Sequence, residues 1–133
     1  MLVRNNASKF GENAGKVWHV IASNGQVTID QLRSETGLSE KDLYAAVGWL
    51  ARENKVKKDH EWYRLDDTNL DDEIGTTAGK VYKILDIWEQ ADVTTIERLS
   101  DQSNEEIYAA IGWLAREDKI ASQSDQKFSL KYE

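Results

Sequence analysis

Side chains that commonly carry out chemistry are sparse in this chain. It has two histidines, His19 and His60, and no cysteine, which excludes disulfides, thiolate nucleophiles and thiolate metal sites. Neither histidine has a second ligand at metal-binding spacing. His19 falls in a helical stretch and His60 at the tip of a turn. The carboxylate run Asp71-Asp72-Glu73 could collect a cation, but it lacks the glycine-centred loop of a calcium hand and reads as a solvated linker. Gly11 and Gly15 are separated by helix-forming residues instead of cradling a phosphate, and there is no serine elbow. The sequence assigns no catalytic residue, no metal ligand and no cofactor, and an enzyme is not expected. What remains is binding chemistry, chiefly the cations Lys41, Arg52, Lys55, Lys57, Lys58 and Arg64, all in the first half of the chain.

The elements that would position these cations follow from an internal repeat, which is sought before individual elements. Phe10-Gly11-Glu12-Asn13-Ala14-Gly15-Lys16-Val17-Trp18 returns as Ile74-Gly75-Thr76-Thr77-Ala78-Gly79-Lys80-Val81-Tyr82. Leu43-Tyr44-Ala45-Ala46-Val47-Gly48-Trp49-Leu50-Ala51-Arg52-Glu53 returns as Ile107-Tyr108-Ala109-Ala110-Ile111-Gly112-Trp113-Leu114-Ala115-Arg116-Glu117, and both matches fall at one offset of 64. The repeats are assigned to residues 10–65 and 74–130, with an acidic linker over 66–73. Within each repeat, apolar residues at Ala14, Val17, Trp18 and Ile21 space as a helix that stops at Ser23-Asn24-Gly25. Val27 reads as a short strand, and Thr28 with Gln31 as a capping box opening a second helix. Ser39 with Asp42, and Ser103 with Glu106, open a third helix that runs to about Asn54. Lys55 to Lys58 and Trp62 to Leu65 pair around Asp59-His60-Glu61. The order helix, short strand, helix, turn, helix, hairpin is the winged helix-turn-helix plan. The expected fold class is therefore mainly α with small β-hairpins (α+β), as two tandem winged helix-turn-helix domains. In the second repeat Ile96 and Leu99 match the Ile29/Leu32 pair only with a shift, so the register of that helix is left open. The second wing, from Ala121 to Lys127, reads as one residue longer.

The third helix has two faces at about 100° per residue. Leu43, Val47, Leu50 and Asn54 form a core stripe margined by Ala46 and Ala51. The opposite side carries Lys41, Ala45, Gly48 and Arg52, flanked by Tyr44 and Trp49. A mid-helix glycine costs up to about 1 kcal/mol relative to alanine, so Gly48 and its counterpart Gly112 need a reason. One reason is a flat contact surface of Tyr44, Ala45, Gly48 and Trp49 meeting Tyr108, Ala109, Gly112 and Trp113, either between the repeats or between chains of a homodimer. The other is that Gly48 makes room for Trp49 to fold back on its own domain.

Net charge is −7, so the whole surface is not built to grip phosphates. Residues 1–66 carry a net +1 and residues 67–133 a net −8. Glu105 stands where Lys41 does, and the second wing, Ser122-Gln123-Ser124-Asp125-Gln126, has only Lys127 as a base. Double-stranded DNA is thus expected at the first repeat, through Lys41, Arg52, Lys55, Lys57, Lys58 and Arg64, with the acidic repeat docking on the first or on a protein partner. The alternative is a protein–protein adaptor with no nucleic-acid role. The absence of a long apolar run, and of an apolar leader in Met1-Leu2-Val3-Arg4-Asn5-Asn6, implies no membrane partner and a cytoplasmic location.

The Ala14-Gly15-Lys16-Val17-Trp18 and Gly48-Trp49-Leu50-Ala51-Arg52-Glu53 blocks resemble a small, mostly uncharacterised winged helix-turn-helix family of bacteria and archaea. The resemblance covers residues 10–65 and 74–130. Its members are usually single-domain and are taken as DNA-binding from their fold, so it implies a transcription-regulator-like protein. The acidic second copy departs from that expectation.

Overall fold

A computed structural model describes residues 7–124 and 126–131. Met1 to Asn6, read above for a leader, and Asp125 of the second wing lie outside the described residues. The first repeat comprises α1 (Ala7–Asn24), β1 (Gln26–Val27), α2 (Ile29–Thr36), α3 (Glu40–Arg52), β2 (Val56–Asp59) and β3 (Trp62–Leu65). The second comprises α4 (Asp71–Trp88), β4 (Gln90–Asp92), α5 (Val93–Ser100), α6 (Asn104–Arg116), β5 (Ile120–Ser124) and β6 (Lys127–Leu130). Each repeat closes a three-stranded antiparallel sheet with the last strand central, in the orders β1-β3-β2 and β4-β6-β5. This is mainly α with small β-hairpins, in two winged helix-turn-helix units.

Local chemistry sets the boundaries. Thr28 Oγ1 accepts from the Gln31 backbone N–H at 3.2 Å, and Asp92 Oδ1 from Thr95 at 2.8 Å. Ser39 caps α3, while Ser103 and Glu106 complete a reciprocal capping box on α6. Gly37 ends α2 at φ 73°, a left-handed conformation in which glycine has no Cβ penalty.

Several expectations are corrected. The third helix ends at Arg52, because Asn54 turns left-handed at φ 60°. Its side chain instead ties down the connection, donating to Asp67 at 3.1 Å and accepting from Thr68 N–H at 2.9 Å. Asn69 brackets the Lys58 backbone in the same way, at 3.0 and 2.7 Å. The run Asp71-Asp72-Glu73 is the first turn of α4, where its charges complement the helix dipole. It is not linker. The register of α5, left open above, matches that of α2: Val93 takes the place of Ile29 and Ile96 that of Leu32, both buried, whereas Leu99 faces solvent. The extra wing residue is a bulge between Ser122 and Ser124, after which Phe128 occupies the position of Tyr63.

Neither hydrophobic core is confined to its own repeat. Phe10 of α1 belongs to the second repeat's core, with its ring 6.3 Å from that of Phe128. Its counterpart Ile74, with Leu70, belongs to the first repeat's core. The exchange is reciprocal and runs beside the main seam, where α3 crosses α6. There a Cβ on Gly48 would lie 1.8 Å from the Ala109 carbonyl oxygen, and one on Gly112 would lie 1.7 Å from that of Ala45. The two backbones touch, and only glycine fits at either point.

Gly48→Ala and Gly112→Ala should therefore each destabilise the fold by about 1–3 kcal/mol through overpacking. Gly15 is the control: it is exposed on α1 and a Cβ there would meet nothing within 4 Å. Gly15→Ala should stabilise by up to about 1 kcal/mol through helix propensity alone. Urea unfolding of the three variants checks the opposite signs.

The paired third helices as candidate functional site

The α3 face opposite the core stripe, offered above either to DNA or to the other repeat, lies against the second repeat. Lys41 lines a cleft with Tyr108, Ser122 and Phe128. One turn on, Ala45 is fully buried under Gly112, and Gly48 lies on Ala109. At the C-terminal end Arg52 Nε meets Glu117 Oε2 at 3.0 Å, with its guanidinium 5.6 Å from the Trp113 ring centroid. The mirror arrangement pairs Arg116 with Glu53 at 3.0 Å and places it 5.9 Å from the Trp49 ring. Each glutamate also faces a lysine of its own repeat, Lys55 at 3.7 Å from Glu53 and Lys119 at 3.4 Å from Glu117.

Trp49 does fold back on its own repeat, but Gly11 makes the room, since a Cβ there would lie 2.8 Å from the indole. Gly48 serves the other repeat. Every position of Gly48-Trp49-Leu50-Ala51-Arg52-Glu53 thus has a physical task. Glycine admits the opposing backbone, tryptophan supports the opposing arginine, leucine and alanine fill the core, and Arg-Glu close two reciprocal ion pairs. Sequence reasoning named Gly48, Trp49 and Arg52 but did not place Glu53 or Glu117 in the contact surface. The signal available was the repetition of Arg-Glu itself in both copies.

The six cations expected at DNA do not form one surface. Lys41 and Arg52 face the second repeat. Lys55 is drawn to Glu53, and Arg64 to Asp66 at 3.9 Å. Lys58 sits opposite Tyr63 on the sheet's inner side, its ammonium 5.6 Å from the ring centroid. Lys57 pairs in register with Arg64 on the outer side, next to half-exposed Trp62.

Two clefts flank the crossing and occupy equivalent places. One, of about 110 Å³, sets Tyr44, Lys58 and Tyr63 against Glu73, Glu105 and Glu106. The other, of about 90 Å³, sets Lys9, Lys41 and Asp42 against Tyr108, Ser122 and Phe128. Their charge is inverted by the exchange of Lys9 for Glu73 and Lys41 for Glu105. Burial, then the neighbouring Tyr44, Glu105 and Glu73, push the Tyr63 hydroxyl well above the usual phenol range. Tyr44 is raised as well, by burial first and Glu105 next. Among the described residues no group of three histidine, aspartate or glutamate side chains is disposed to hold a metal ion, and no helix is long and apolar enough to cross a membrane.

Comparison with known proteins fits this architecture. A family described as "Winged helix-turn-helix domain (DUF2582)" matches residues 5–65 and again 68–131. The chain is 42% identical over 61 residues to the uncharacterized protein MJ1608 of Methanocaldococcus jannaschii, covering 44% of this chain and 87% of that one. Among solved structures it is similar to the mRNA-binding domain of elongation factor SelB from E. coli in complex with SECIS RNA. That likeness has a TM-score of 0.40 at 11% identity and covers 91% of this chain and 98% of the other.

Both interrepeat ion pairs join a glutamate that is 18–19% exposed to an arginine that is 45–46% exposed, so water screens them in part. Double-mutant cycles on Arg52/Glu117 and Arg116/Glu53 should each give a coupling of about 0.5–1 kcal/mol that shrinks with added salt. The check is that the two values agree, as the mirror geometry requires. A coupling in one pair only would mean the seam is asymmetric in solution.

Proposed function

Because the chain belongs to this winged helix-turn-helix family, in two copies locked face to face, we propose that it is a non-enzymatic protein-docking adaptor instead of a reader of duplex DNA. The fold is one that nucleic-acid-binding proteins use. In its DNA-binding form the third helix enters the major groove while the wing touches the backbone. The observation that carries the docking reading is the contact of Gly48 with Ala109 and of Gly112 with Ala45. A helix whose outer face lies against another helix cannot also lie in a groove about 12 Å wide. Opening the seam would expose Ala45, Ala109 and two apolar core margins, and would break both arginine–glutamate pairs. That cost weighs against a groove-reading open form. The acidic second repeat weighs the same way, since it would repel phosphates.

One observation favours a narrower nucleic-acid reading. Lys57 and Arg64 face outward on the first wing beside Trp62, clear of the seam. They could meet a phosphate backbone without the third helix taking part.

Titration of the intact protein with random duplex DNA between about 50 and 200 mM salt separates the readings. The adaptor reading predicts no binding with a steep salt slope, and no difference between the wild type and a Lys57→Glu/Arg64→Glu variant. Salt-dependent binding that this variant loses would overturn it in favour of wing contact. Binding that survives in the variant but is lost when Arg52 is replaced by glutamate would point to an open seam.

A further inference from the structure

The duplication supplies an internal reference for every surface position, and one region departs from it in two ways at once. At the end of α4, Ile87 is 76% exposed and Trp88 is 55% exposed, and Leu99 on α5 is 43% exposed. Ile84, Ile87 and Trp88 follow the three- and four-residue spacing of one helix face. In the first repeat the places of Ile87, Trp88 and Leu99 are held by Ser23, Asn24 and Glu35. There the Asn24 amide donates to the Glu35 carboxylate at 3.4 Å, which gauges how near those two places are. With α5 in register, Trp88 and Leu99 hold the places of that bonded pair, so that with Ile87 three exposed apolar side chains stand where the first repeat is polar.

The second departure is charge. Asp86, Glu89 and Asp101, each adjacent in sequence to this patch or one residue removed, stand where the first repeat has Ala22, Gly25 and Gly37. Two of these acids have positive φ, Glu89 at 67° and Asp101 at 58°, the latter in the left-handed α conformation. The first repeat has glycine with positive φ at both places, at 84° and 73°. Glycine is the least strained residue at such turns, and aspartate is tolerated there better than glutamate. Lys80, Lys83 and Arg98 are the basic exceptions on these two helices.

An apolar centre with an acidic border is complementary to an apolar segment with a basic border. A second copy of this chain is a poor occupant, because two acidic borders would face each other. We propose that Ile87, Trp88 and Leu99 form the docking surface for a protein segment that carries one or two large apolar side chains flanked by lysines or arginines. This inference rests on the adaptor reading and gives that reading a partner-facing site on α4 and α5.

The test variant exchanges the patch for what the first repeat already carries there, Ile87→Ser/Trp88→Asn/Leu99→Glu. These residues are tolerated at the same places in the same fold, so the variant is expected to fold, and its circular dichroism and urea midpoint verify that it does. A random peptide library displayed on phage is selected on the intact wild-type protein. The selected peptides are then measured on both proteins, with sedimentation of each protein alone. The expected result is enrichment of Trp, Phe or Leu anchors flanked by Lys or Arg, with affinity weaker by about tenfold or more on the variant and falling with salt. Peptides that bind both proteins equally would overturn the patch while leaving the adaptor reading intact. A library that yields no binder would overturn the patch, and the adaptor reading too if duplex DNA binds. Self-association of the wild type that the variant loses would overturn the proposed partner and assign the patch to a second copy.

Discussion

Everything in this structure depends on two helices meeting at backbone distance. Gly48 and Gly112 bring α3 and α6 together so closely that each helix's would-be Cβ overlaps a carbonyl oxygen of the other. A contact of that kind is unforgiving, since no side chain can flex to relieve it. It fixes how far apart the repeats sit, and so it fixes which further interactions can form. At that separation Arg52 reaches Glu117, Arg116 reaches Glu53, and Phe10 and Ile74 each reach into the core of the opposite repeat. A winged-helix unit of about sixty residues buries a modest share of its surface. Exchanging one large apolar side chain with a partner enlarges both cores at once.

The same constraint redirects the fold's usual mode of recognition. In winged helix-turn-helix proteins that read DNA the third helix is the probe. Here each third helix is the other's binding partner, and the motif shared by the two copies specifies that pairing residue by residue. With the helices withdrawn, the surfaces free to differ are the wings, the clefts beside the crossing, and the outer ends of the first and second helices of each repeat. These are where the copies diverge: lysine for glutamate across the two clefts, a bulge in the second wing, and Trp88 where the first repeat has asparagine.

Much of the fold was legible from sequence because it is local. Caps such as Ser39 and Ser103, the left-handed stop at Gly37 and the Leu43, Val47, Leu50 stripe are set within a few residues, and the offset of 64 carried the reading from one repeat to the other. The unusual glycine at position 48 also asked for a reason, and a close approach by another helix was one of the two it offered. What escaped was non-local or disguised by residue type. Leu99 looked like a core residue and Val93, in a β-branched stretch of Val-Thr-Thr, did not, yet the structure buries Val93 and exposes Leu99. The acids Asp71 to Glu73 looked like linker because their role at a helix start depends on where α4 begins. Phe10 could not be assigned to the opposite core, because nothing in its neighbourhood records which sheet it will meet. The cations expected at DNA were grouped by sequence proximity, whereas the hairpin pleat sends Lys57 and Lys58 to opposite sides.

The most direct test of this account is a through-space proton NMR measurement on the intact protein, read at the α protons of Gly48 and Gly112. The account predicts strong cross-peaks from Gly48 to Ala109 and from Gly112 to Ala45, since only backbone contact brings those protons together. Absence of both, with the rest of each repeat folded, would contradict it. The third helices would then be free in solution and available to a DNA groove.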